Sequence, residues 1–246
     1  MMLTAVRTDT RARDNRCPVM SRKSGNLSAI LVVVSVLTYA ALWLAFASNW
    51  GWITALDNGT VRVFHEFGVT RPGWITFWVT VSTAFGPSAM RLIALVGIVV
   101  AAVRRQFHIA GFLVITVMLM GPLTAVAKAI SNRPRPETAL ALETSTAFPS
   151  GHALGATVGV LSFLTVLWPE IPRRARVPAI AAGTLVVLSV SLARVALNVH
   201  HPTDIVAGWA LGYLWYRSCL IAIPPRQSGP RQPGHAAPQR VSPRSG

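Results

Sequence analysis

The chain alternates between long apolar runs and short polar, proline-punctuated breaks. The apolar runs cover residues 28–48, 87–103, 108–130, 151–168, 179–198 and 203–223. Each approaches or exceeds the roughly 18 residues that carry a helix across a bilayer. A shorter apolar stretch, 74–85, ends at Gly86-Pro87 and reads as an interfacial helix leading into the second span. Residues 49–73 are polar, with Trp50, Trp52, Phe64 and Phe67 suited to the membrane interface. Within them Asn58-Gly59-Thr60 matches a glycosylation sequon but reads as a turn. Residues 1–27 and 224–246 lack periodicity and read as disordered tails. The expected fold is all-α: an integral membrane bundle of six transmembrane helices over 28–223, with the interfacial helix between spans one and two. The first run ends in Ala-Phe-Ala-Ser, like a signal-peptidase site, yet its long apolar core and long basic preface favour a retained anchor.

Composition sharpens this picture. Of 246 residues 52% are hydrophobic and 13% charged, half the charge of a typical soluble domain at about 25%. The net charge of +15 lies largely in the tails, at Arg104-Arg105 and at Arg173, Arg174 and Arg176. The positive-inside rule then places both termini in the cytoplasm of a multi-pass plasma-membrane protein. Headgroups and topology explain the basic excess. Nucleic-acid binding is not expected, because no basic platform is interleaved with aromatic residues. Cys17 and Cys219 both fall on the cytoplasmic side, so no disulfide is expected, and no Cys/His spacing suggests a metal. No cofactor is implied.

The same topology puts three polar pieces on the outer side: KAISNRPRP from Lys128 to Pro136, FPSGH from Phe148 to His152, and ARVALNVHHPTD from Ala193 to Asp204. In the first, Lys128 and Arg135 can together neutralise a phosphate dianion; the alternative is a snorkelling boundary lysine beside a basic loop. Arg133 fits a solvated loop charge and Arg91 a snorkelling residue. In the second, Ser150 can cap an apolar helix whose first free N–H groups, at Gly151 and His152, form an anion site. An ordinary helix start would look the same, except that a histidine in the first turn opposes the dipole. In the third, Arg194 and His200 bracket a span's outer end and Asp204 follows. A carboxylate bonded to one imidazole nitrogen leaves the other free as a nucleophile; the alternative is Asp204 as a plain helix cap.

Taken together, these spacings resemble the type 2 phosphatidic acid phosphatase (PAP2) superfamily of membrane lipid-phosphate phosphatases. Its signature, K-x6-RP, PSGH and SR-x5-H-x3-D, matches Lys128 to Arg135-Pro136, Pro149 to His152, and Arg194 to His200 to Asp204. The serine before the arginine is Ala193 here, which removes one hydroxyl. Spacing selects His200 over His201, which occupies a place often held by tyrosine. The resemblance implies a metal-independent phosphatase acting on phosphatidate, phosphatidylglycerophosphate or a polyprenyl diphosphate at the outer face. It implies His200 as nucleophile, Asp204 as its orienting partner and His152 as acid and base. Lys128, Arg135, Ser150, Gly151 and Arg194 would hold the phosphate. A phosphotransferase using the same phosphohistidine, or a non-catalytic lipid-binding or transport protein, are the alternatives; oligomeric state is left open.

Overall fold

A computed structural model describes residues 22–226, and helices account for most of it. In chain order these are α1 (Arg22–Ala47), α2 (Gly51–Val69), α3 (Pro72–Ala84), α4 (Pro87–Val103), α5 (Phe107–Leu113), a π-helical turn (Val114–Met118), α6 (Met120–Ser131), α7 (Gly151–Leu167), a 3-10 turn (Arg173–Ala175), α8 (Arg176–Ala196) and α9 (Pro202–Ala222). A helix stands at each of the six predicted span positions. Five candidate spans are long and apolar enough to cross a membrane, α3–α4 and α5–α6 each counting as one; α7, at 17 residues, falls just short. Helices α1, α4 and α8 turn large apolar side chains outward, such as Leu92, Val96, Val103, Val177 and Leu185. Such faces suit lipid rather than water. Cys17 and most of both predicted tails lie outside the described residues, although α1 already begins at Arg22.

Sequence and structure part at residues 51–69. The expected interfacial polar stretch is the 19-residue helix α2, and Asn58-Gly59-Thr60 runs through its middle instead of turning. One glycine costs a helix only about 1 kcal/mol, and α2 buries Ile53, Asp57, Val61 and Gly68 in return. The break at Phe85-Gly86 separates α3 from α4 as expected. In the third span Pro122 offers no N–H to the carbonyl one turn earlier, and the π turn sits at that point.

Helix α7 is the centre of the bundle, packed by α4, α6, α8 and α9. Its glycines make this possible. A Cβ at Gly159 would come within 2.7 Å of the Met90 sulfur on α4, and one at Gly155 within 3.0 Å of Pro87. On α9, a Cβ at Gly208 would lie 2.7 Å from the Ser150 carbonyl and one at Gly212 3.0 Å from that of Leu154. Small residues four apart let membrane helices approach closely. Here they seat the N-terminus of α7 against that of α9, and the Ser150 N–H donates directly to the Asp204 carbonyl at 2.9 Å.

Candidate active site

The ends of four helices meet at one end of the bundle. Lys128 is in the last turn of α6, His152 in the first turn of α7, Arg194 in the last turn of α8, and Asp204 in the first turn of α9. The loop 132–150 closes the group. It leaves α6 through Asn132, which adopts a left-handed conformation at φ 44° and donates its N–H to the Lys128 carbonyl. It is held further by the Leu140 N–H on the Leu197 carbonyl and the Ala147 N–H on the Arg133 carbonyl.

Lys128, Arg135, Gly151, His152 and His200 line a single cavity of about 370 Å³, together with Arg91, Ser88, Gly121, Thr124, Glu143 and Ser145. Residues from all three polar pieces are therefore within reach of one ligand. His200 is 1% exposed. Its Nε2 lies 3.3 Å from Arg135 Nη1, and its Nδ1 lies 3.5 Å from Asp204 Oδ2. The imidazole thus has a carboxylate behind it and a guanidinium on its cavity side. Burial, the largest influence, pushes the His200 imidazole down to about 4; Asp204 pulls it up, and Arg194 and Arg135 push it down further. Burial therefore favours the neutral ring at neutral pH, with the Arg135 guanidinium against Nε2. His152 packs against the α3–α4 break, where a Cβ on Gly86 would come within 3.4 Å of its Nε2.

Ser150, Arg194 and Asp204 do not line the cavity. Ser150 is fully buried and its hydroxyl accepts from the Ala153 N–H at 3.5 Å, capping α7. Arg194 reaches Glu143 from behind and donates to the Ser82 hydroxyl at 3.1 Å. Arg135 Nη2 lies 3.5 Å from the other Glu143 oxygen. Glu143 is thus clasped between two of the expected phosphate-binding cations. Burial alone would raise its carboxyl, but the two guanidinium groups hold it below the ordinary value. Lys128 Nζ donates to the Thr146 carbonyl.

Arg133 is not a solvated loop charge. It is 8% exposed and ties two buried carboxylates together, donating to Asp204 Oδ1 at 2.7 Å and to Asp57 Oδ2 at 2.7 Å. Asp57 also accepts from the Thr203 hydroxyl at 2.6 Å and the Thr203 N–H at 3.2 Å. Asp204 accepts from the His201 N–H at 2.8 Å. The carboxylate behind His200 is therefore fixed by a buried chain that begins on α2. Sequence reasoning missed this chain because Asp57 lies far from the three pieces. One available signal was scarcity, since the whole sequence holds only 8 acidic residues. His201, which begins the α9 cap, lines a separate cavity on the α2 side with Arg62, His65 and Glu66. The cavity shared with Lys128 and His152 takes His200, the histidine that spacing selects. Arg91 does not snorkel to a boundary: its guanidinium lies over Gly121, inside the cavity wall.

A helical membrane bundle whose helix ends gather cations and two histidines around one cavity defines a class of phosphate-handling membrane proteins. The chain belongs to the PAP2 superfamily, whose family model matches residues 108–228. It is 32% identical over 153 residues to phosphatidylglycerophosphatase B of Bacillus subtilis (strain 168), covering 59% of this chain and 74% of that protein. Its fold is similar to the crystal structure of the first transmembrane PAP2 type phosphatidylglycerolphosphate phosphatase from Bacillus subtilis, with a TM-score of 0.61 at 21% identity, covering 76% of this chain and 93% of that one. These relationships make the chain a multi-pass membrane phosphatase of the PAP2 type.

Proposed function

We propose that the protein hydrolyses a phosphate from a membrane lipid, with His200 as the nucleophile. The observation that carries this reading is the placement of His200 between Asp204 at 3.5 Å and Arg135 at 3.3 Å, on the wall of the cavity that also holds His152 and Lys128. Asp204 keeps the proton on Nδ1, so the Nε2 lone pair attacks phosphorus as the P–O bond to the leaving group breaks. His152 gives its proton to the departing oxygen, then takes one from the water that cleaves the phosphohistidine. Lys128, Arg135 and the Gly151 N–H face the equatorial oxygens, where negative charge gathers in the transition state. Arg194 and the Ser150 cap support these groups from behind. Cationic side chains supply the charge compensation, and no metal is assigned a role.

The relatives and the site's position support a lipid phosphate as the substrate class. Phosphatidylglycerophosphate is the lipid after which both relatives are named, and phosphatidate and polyprenyl diphosphates also offer a terminal phosphoryl group. Six spans with residues 28–223 as the membrane domain, both tails cytoplasmic and the cavity at the outer face, complete the reading. Purified protein is expected to release phosphate from such lipids in EDTA. His200→Ala is expected to lose about 10⁴-fold or more in kcat, as removal of a nucleophile does elsewhere. A fully active mutant contradicts the assignment.

A further inference from the structure

Arg91 is the cation lining the cavity that the hydrolytic step leaves unused. It sits on α4, beyond Pro87 and Ser88, and is half-buried. Among the described residues it makes no hydrogen bond or ion pair, whereas Arg135 and Arg194 share Glu143 and Lys128 is bonded to the Thr146 carbonyl. A guanidinium inside a membrane bundle is expensive unless it is paired or faces a wet cavity. This one faces the cavity, where an anionic ligand would be its partner.

Its position shows which part of a substrate would supply that partner. A Cβ on Gly121 would come within 2.8 Å of Arg91 Nη2, so the guanidinium lies flat over Gly121. Gly121, Thr124, Ala125 and Lys128 all line the cavity and form one face of α6. Seven residues separate Gly121 from Lys128, which is about 10 Å along the helix. Arg91 therefore stands about two turns further from the helix end than Lys128, toward the middle of the apolar span. The space is also too large for a single phosphate. Four oxygens displace on the order of four waters, about 120 Å³, against a cavity of about 370 Å³.

Resting on the phosphatase reading, we propose that Arg91, with the Ser88 hydroxyl beside it, forms a second anion subsite. It holds a phosphate that does not react, lying between the scissile phosphoryl group and the lipid tail. The chemistry it selects is a lipid with two phosphates in line: a diphosphate, or a phosphomonoester joined through a short alcohol to a phosphodiester. Phosphatidate carries one phosphate, leaves Arg91 unpaired and is the poorer substrate. Glycine at 121 leaves room for the guanidinium to lie against the helix.

The test compares kcat/KM for farnesyl diphosphate, phosphatidylglycerophosphate and phosphatidate in the wild type, Arg91→Gln, Arg91→Lys and Gly121→Ala. The ratio of each two-phosphate lipid to phosphatidate is expected to fall at least tenfold in Arg91→Gln and less in Arg91→Lys. In Gly121→Ala it falls because the new methyl displaces the guanidinium while leaving its charge. A fall with only one two-phosphate lipid assigns the subsite to that spacing. Equal losses on all three lipids, or no change in the ratio, overturn the proposal. Binding is measured alongside on the full-length protein in detergent, using a non-hydrolysable alkyl methylenediphosphonate and an alkyl monophosphonate. The subsite predicts tighter binding of the diphosphonate and loss of that advantage in Arg91→Gln; equal affinities overturn it. If the wild type hydrolyses none of the lipids, the phosphatase reading fails while the binding comparison still decides the subsite.

Discussion

The two sides of His200 are built on opposite principles. Behind it, Asp57, Arg133, Thr203 and Asp204 form a buried chain whose charges already have partners at 2.6–2.8 Å. In front, Lys128, Arg135 and Arg91 crowd a cavity in which Glu143 is the only carboxylate among the described residues. The rear pairs its charges internally, whereas the front carries more cations than carboxylates. Fixed, paired charges orient a catalytic ring at no reorganisation cost, while an excess of cation waits for an anion to compensate it. On the proposed reading, the difference separates residues that hold the fold from residues that would hold the substrate.

After the loss of His200 itself, the largest effect is expected at the junction of the two sides. Asp204→Asn keeps the shape but removes the carboxylate that sets the His200 tautomer, and should lower kcat by about 10³- to 10⁴-fold, as the corresponding change does in serine proteases. A loss under tenfold would detach Asp204 from the chemistry. Next comes a pair that breaks each side alone. Arg133→Met leaves two buried carboxylates without their countercharge and should cost about 3–5 kcal/mol of stability, seen as early thermal unfolding in detergent. Arg135→Ala should lower kcat/KM by about 10²- to 10³-fold while moving the unfolding temperature less than Arg133→Met does. The opposite pattern would erase the distinction.

The pH dependence sharpens the comparison further. Because burial brings the His200 imidazole down to about 4, Nε2 stays unprotonated above about pH 5, and the His200 limb of kcat/KM should fall near pH 4. The same shift governs stability. The unfolded histidine takes its proton near 6.5, so the His200 contribution is complete above that value and is lost as pH falls toward 4. The smallest effect is expected at Glu143, which pairs with Arg135, a cation that a phosphate would claim. Glu143→Gln should tighten inhibition by inorganic phosphate by up to about fivefold, equivalent to ~1 kcal/mol. Weaker inhibition would make Glu143 part of the phosphate site instead of its competitor.

The front of the site was the legible side. Lys128, Arg135, His152 and His200 are charged or titratable residues at the ends of apolar runs, where hydropathy exposes them, and their spacing carries the family resemblance. Ser150 and Arg194, expected to hold the phosphate, stand instead behind the cavity wall as cap and brace. The rear was not legible. Asp57 lies in a stretch whose Gly59 and polar neighbours suggest a turn, and only packing against α8 and α9 makes it a helix with a buried acid face. Arg133 could not be told from a loop charge until Asp57 and Asp204 were seen on either side of it. Arg91 has the sequence context of a snorkelling residue, and the direction of its side chain across Gly121 depends on how α4 meets α6. Local pattern names the groups that stand at helix ends; partners recruited across the bundle need the third dimension.

The claim on which the account rests is that His200 takes the phosphoryl group. Rapid acid-free quenching of the wild-type protein with a phosphate-labelled lipid, followed by peptide mass spectrometry, measures it directly. The account predicts an acid-labile phosphate on the peptide containing His200, absent from His200→Ala. Label on another residue, or undiminished turnover by His200→Ala, would contradict it.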